Sequence, residues 1–275
     1  GATQSPGAEP PPAANQFYLL GEVHDNPDSH RQRFAWLLVR VQAGWRGALV
    51  MEQFDREVQP RLSEAQATCQ DADCVIRMAG GKRWDWPHYR PLIDLALRYR
   101  LPLLAANVSR SDAGRVMQQG LPAVLDAATI RRFHLDQAIP ADLQAALQQQ
   151  MQDGHCGKLP TAMMPGMVQA QLARDVWMAK TLLDNASHGA VLIAGNGHVR
   201  RDLGVPRWLQ GLPSGSRVEV HGYLEPDDNA PSTAFDVRHA LTRFARPDPC
   251  QTIPDAQGNR LPPAPLQSFQ QSNLR

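Results

Sequence analysis

The chain has 275 residues, 43% of them hydrophobic, enough to bury one large core without help from a structural metal. A formal net charge of +1 excludes the kind of field that gathers nucleic acid or anionic membrane, and no run approaches the roughly 20 apolar residues that cross a bilayer. One domain is expected over residues 17–250, between a flexible Pro/Ala/Gly-rich tether at 1–16 and a Pro-rich tail at 251–275.

The apolar run Phe17–Val23 has the length of a buried strand, and the Asn26-Pro27-Asp28-Ser29 cluster after it breaks the strand and caps a helix. That helix is predicted over His30–Gln42, with Phe34, Leu37, Leu38 and Val41 on its buried face. A second strand follows at Ala48–Met51. Leu92, Leu95, Ala96 and Tyr99 have the spacing of a helix over Tyr89–Arg100, and Leu101–Ala106 reads as a third strand. Residues 113–152 read as mostly helical. A long helix at Gly166–Asn185 leads into Ala190–Ala194, apolar at every position as strands buried on both faces are. Arg217–Leu224 reads as an added edge strand. Together these predict an α/β fold: a central, mostly parallel sheet flanked by helices, with mainly helical insertions.

Four cysteines, Cys69, Cys74, Cys156 and Cys250, lack the close paired spacing of a zinc ribbon. The expected pairs are Cys69 with Cys74, as a local clip, and Cys156 with Cys250, as a tie for the C-terminal segment. Such bonds point outside the cytoplasm; the alternative reading is four buried free thiols in a cytosolic protein.

In a parallel sheet the ligand-handling residues collect beyond the carboxyl ends of the strands. Four predicted strands deliver polar groups there: Glu22 and His24, Glu52 and Gln53, Asn107 with Arg110, and Asn196 with His198. His24, Glu52 and His198 should converge, and two imidazoles with a carboxylate could hold a divalent metal or move protons. On the long helix, Arg174 and Asp175 are expected to tether it to the sheet ends. Met163, Met164 and Met167 are apolar filler that would also suit the face of a flat, polarizable ligand. The segment Trp84-Asp85-Trp86-Pro87-His88-Tyr89 joins aromatic walls to a phenol, a known axial ligand of ferric haem, in what reads as an exposed loop.

The segments GEVHDNPDSHR, MEQFDR, WDWPHYRPL, LPLLAANVSR, QLARDVWMAKTL, IAGNGHVRRDLGVP and DPC resemble the ChaN family of iron-regulated haem-binding lipoproteins over roughly residues 17–250. More distantly they resemble the Tiki, TraB and erythromycin-esterase-like superfamily, through Gly21–His24 and Gly195–His198. The resemblance implies haem as cofactor, with its iron held by a Tyr assisted by a His and haem pairs sandwiched between subunits of a homodimer. Tyr89 is the Tyr it points to, and His24, His88, His155 and His198 are the candidate His residues. Trp84, Trp86, Met163, Met164 and Met167 would line the porphyrin, and arginines such as Arg110 would meet its carboxylates. It further implies an outer-membrane lipoprotein facing periplasm or cell surface, serving haem acquisition or storage with a haem receptor as partner. No lipid-acceptor Cys opens this sequence, so the anchor rests on the resemblance and the tether. The alternative is a metal-dependent hydrolase of the same superfamily using His24, Glu52 and His198.

Overall fold

The computed structural model describes residues 15–251; the expectations for most of the tether and for the Pro-rich tail fall outside these. Six strands form one sheet: β1 (Gln16–Leu20), β2 (Ala48–Asp55), β3 (Leu103–Asn107), β4 (Ala190–Ile193), β5 (Arg217–Leu224) and β6 (Val237–Ala240). Their order is β3-β2-β4-β1-β5-β6, and every pairing is parallel. The fold class is therefore the α/β architecture expected. β5 is a correction: it lies inside the sheet against β1, and the short β6 is the edge.

The helices are α1 (Pro27–Gln42), α2 (Gln59–Thr68), α3 (Ala72–Ala79), α4 (Arg90–Tyr99), α5 (Arg110–Gln119), α6 (Ala127–Arg132), α7 (Ala141–Gly154), α8 (Met164–Asp184) and α9 (Asn196–Val199). Side chains alternate across a strand, so Leu20, Leu49, Met51, Val191 and Ile193 face α1 and α4. Phe17, Leu19, Val50, Leu192 and Val220 face α8 on the other side. Both faces are covered, which is why the central strands read as unbroken apolar runs. α1 starts at Pro27 with the Asn26 side chain accepting from Asp28 N–H, three residues earlier than the periodicity suggested. Its buried stripe is His30, Arg33, Leu37 and Val41, with Phe34 and Leu38, expected on that face, only partly buried.

Cys69 with Cys74 and Cys156 with Cys250 lie at bonding distance, each with Cα atoms 5.6 Å apart. The second pair ties the segment after β6 to the end of α7. That segment is also held by Arg246, which donates to Asp25 and Glu225 at 2.6–2.8 Å.

Candidate functional site

Each central strand ends by turning a polar side chain into the space between sheet and helices. Gly21, next after β1, has to be glycine: a Cβ there would stand 2.1 Å from Asn196 Oδ1 and 3.1 Å from Asn196 Cα. The close approach locks the β1 end to the turn after β4, where Asn196 also bonds both the N–H and the C=O of Tyr223.

Glu22 is fully buried, with donors on both oxygens. Arg33 Nη1 donates to Oε1 at 2.5 Å, while the Tyr89 hydroxyl and His24 Nδ1–H both donate to Oε2. Burial alone would raise the pKa of this carboxyl, but Arg33, His24 and His30 overcome it and hold it well below the ordinary range. The same burial, reinforced by Glu22, pushes the Tyr89 phenol well above its usual pKa of 10. With its Nδ1–H committed to Glu22, His24 is left with a buried Nε2 that has no hydrogen-bond partner. A carboxylate on one imidazole nitrogen and a lone pair on the other is the arrangement that prepares histidine for a metal. The His24 side chain is 11% exposed and meets the edge of Trp84, their centroids 4.9 Å apart; Trp84 in turn stands edge-on to Tyr89.

A second network adjoins the first. His198, fully buried, lies between two carboxylates, with Nε2 3.2 Å from Glu52 and Nδ1 2.7 Å from Asp175. Burial would lower the imidazole pKa, but the two carboxylates outweigh it and push it up to about 9. Glu52 also accepts the Gly195 N–H at 2.9 Å, and its pKa falls because the His198 charge outweighs burial. At Asp175 burial prevails and the pKa rises. Arg174 donates to Asn107 Oδ1 and the Val108 carbonyl at 2.7 and 2.6 Å, pinning α8 to the end of β3, and Asp175 pins it to the end of β4 through His198. His24 is near enough to Glu52 to contribute to lowering its pKa, so His24, Glu52 and His198 reach one region. His198 and Glu52, however, spend their polar atoms on each other and on the fold. Among the described residues no group of three His, Cys, Asp or Glu side chains is placed to hold a metal ion.

The remaining candidates scatter. His88, in a short turn at Trp86–His88, stacks flat on His30 at 4.3 Å and pairs with Asp85. Trp86 is buried against Phe54, its Nε1–H donating to Gly81 O. Tyr89, expected on an exposed loop, is 1% exposed: the aromatic segment folds inward because Glu22 offers its hydroxyl an acceptor. His155 is buried at the end of α7 and donates to the Met151 carbonyl. Met163, Met164 and Met167 pack with Leu143, Leu147 and Leu159 between α7 and α8. Arg110 is exposed at the start of α5. Sequence reasoning missed Arg33; its signal was an arginine three residues from His30 and four from Leu37, within the stripe that faces the sheet.

A parallel α/β sheet with a buried charge network at its strand ends, opening toward a Trp-His-Tyr corner, defines a ligand-binding protein of the doubly wound class. Residues 12–209 match the family described as haem-binding uptake, Tiki superfamily, ChaN, and the chain belongs to that family. Among solved structures, a Campylobacter jejuni ChaN described as binding haem cofacially is 18% identical, with a TM-score of 0.67 over 82% of this chain and 86% of that one. The type III effector HopBA1 is 12% identical with a TM-score of 0.42, covering 83% and 88%. An erythromycin esterase, EreC, in its open conformation is 12% identical with a TM-score of 0.41, covering 77% and 70%. Comparison with curated proteins gives no match.

Haem is the cofactor that this family brings, and the donor chemistry of the corner fits it. Tyr89 offers a phenol, His24 an unpartnered ring nitrogen, and Trp84 an aromatic wall against both.

Proposed function

We propose that this protein is a haem-binding lipoprotein of the outer membrane, facing periplasm or cell surface, that acquires or stores haem, with Tyr89 ligating the iron and His24 assisting. The observation that carries this reading is the shared oxygen of Glu22, which holds the Tyr89 hydroxyl and the His24 imidazole side by side and leaves His24 Nε2 unpartnered.

Ferric haem, when bound, supplies a Lewis-acidic iron that stabilises a phenolate. The protein's own groups do the rest. Glu22 Oε2 is the acceptor lying against the Tyr89 proton, and Arg33 keeps that carboxylate ionised and fixed. His24 is oriented by its Nδ1–H bond to Glu22. The loop at 80–85 carries Trp84 and covers the phenol, so admitting a porphyrin requires that loop to move outward. A porphyrin bound on one side leaves a broad apolar face, and a second copy brought face to face would cover it; a haem-bridged homodimer and a receptor-served role in haem uptake complete the proposal.

The test is titration of hemin into wild type, Tyr89→Phe and His24→Ala, following the Soret and charge-transfer bands. Loss of the phenolate charge-transfer band in a folded Tyr89→Phe, with weakened binding in His24→Ala, is the expected result. An unchanged spectrum and affinity in Tyr89→Phe would remove Tyr89 as the ligand.

A further inference from the structure

After β6 the chain runs from Leu241 to Asp248 without helix or strand, passing the residues just beyond the carboxyl ends of β5 and β1 on its way to the end of α7. All of these residues but Leu241 and Arg246 are exposed. So irregular a stretch would ordinarily drift, yet polar contacts hold it along its length. The Thr242 N–H donates to Asp28 and the Phe244 N–H to Glu225, both at 2.9 Å, and the Cys156–Cys250 pair fixes the far end.

The contacts converge beside His24. Arg246 grips Asp25 with two nitrogens, Nε at 2.8 Å and Nη2 at 2.6 Å, and reaches Glu225 with Nη1 at 2.8 Å. Asn26, 1% exposed, donates Nδ2–H to the Thr242 carbonyl at 2.8 Å and to Glu225 at 3.1 Å. The two residues that follow His24 are thus tied to a strap 216 and 221 residues further along the chain. A guanidinium held on one carboxylate at two points fixes orientation as well as distance.

His24 depends on that grip because its side chain has little else to hold it. It makes one hydrogen bond, from Nδ1 to Glu22, and Nε2 has no partner. The direction of the ring is therefore set by the backbone of the turn. His30 holds that backbone from one side, donating Nε2–H to the His24 carbonyl at 2.8 Å, and Arg246 holds it through Asp25. We infer that Arg246 is a positioning residue for the ligand pair: by clamping Asp25 it keeps the His24 imidazole oriented beside the Tyr89 phenol. This rests on the haem reading above and adds to it the segment that holds the assisting histidine in place.

The experiment has a ligand-free arm and a hemin arm, each on wild type and Arg246→Gln, with circular dichroism checking the fold. Without ligand, amide exchange is followed at Val23 and Asn26, whose N–H groups donate to Ser29 Oγ and to the Val23 carbonyl within the turn. Exchange there should quicken by about tenfold in the variant while the amides of β2 and β4 keep their protection, because the opening is local. Hemin affinity should fall by about tenfold in Arg246→Gln, the scale on which outer-shell partners act. The same substitution made in His24→Ala should cost little, because no imidazole is left to position. Unchanged exchange at Val23 and Asn26 would overturn the clamp. So would equal losses of hemin affinity in the two backgrounds, since Arg246 would then support the fold and not His24. If hemin fails to bind wild type, the haem reading falls by that result, and the exchange arm still decides whether Arg246 holds the turn.

Discussion

Raising the pH from 6.5 to 9 should cost this fold about 3 kcal/mol through one imidazole. His198 sits between Glu52 and Asp175 with a pKa pushed up to about 9, against 6.5 in an unfolded chain. In that interval the folded state holds a proton that the unfolded state has released, so stability falls as the pH rises. The gain is complete below pH 6.5, fades through the interval and is gone above about 9. At 1.36 kcal/mol per unit the raised pKa is worth about 3 kcal/mol, and for a domain of this size that lowers the melting temperature by about 6–12 °C. Below pH 6.5 a different group acts in the opposite sense: burial lowers the His30 pKa to about 3, so acid has to charge a buried ring, and stability should peak near neutrality. Thermal melts at half-unit steps from pH 5 to 9.5, on wild type and on His198→Gln, measure the effect. The variant should be less stable at pH 7, because two buried carboxylates lose their cation, and flatter between 6.5 and 9. A flat wild-type profile in that interval, or the same slope in both proteins, would refute the reasoning.

Tyr89→Phe should lower stability by about 1–3 kcal/mol without ligand, because the buried Glu22 carboxylate loses one of its donors; chemical denaturation reads this directly. Gly204→Ala places a Cβ 2.2 Å from the His198 carbonyl oxygen, a backbone atom that cannot step aside, and should cost about 1–3 kcal/mol in the same assay. Mass mapping of unreduced protein should recover Cys69–Cys74 and Cys156–Cys250 peptides. Reducing the second bond, which closes a loop of 94 residues, should cost on the order of 4–5 kcal/mol in the chain-entropy account, against about 2 kcal/mol for the first.

The central strands were legible because burial on both faces makes their cores apolar; β4 appears where that pattern does, while β2, expected at Ala48–Met51, continues through the buried Glu52 and Gln53 to Asp55. β6, Val-Arg-His-Ala at a sheet edge, carries no such signal. β5 alternates at its start and so reads as half-exposed, although Val220 through Tyr223 are buried. α2 and α3 went unread because α2 is polar and each is short, and packing on the β3 side holds them as helices. Glu22, His24, Glu52 and His198 could be picked out as polar groups directly after apolar runs. Their partners could not. Arg33 and Asp175 come from helices 11 and 23 residues from the groups they bind, and only the packing of those helices on the sheet brings them in. Tyr89 was misplaced for a related reason: Asp85, Pro87 and the flanking polar residues read as a loop, while the acceptor that draws the phenol inward lies 67 residues away.

The position of β1 sets the order in which this molecule can be built. The first strand of this sheet has as its neighbours β4 and β5, which begin at Ala190 and Arg217. At about 5–20 residues per second the interval is roughly 10–40 s, during which Phe17, Leu19 and Leu20 have no sheet to enter and Glu22 and His24 no cradle. Parallel pairing across such a span is entropically slow even when the whole chain is present. The β1 edge of the β2-β3 half of the sheet therefore stays unpaired until β4 and β5 have been made, and β1, with the polar groups that follow it, is the part of the molecule whose ordering waits longest.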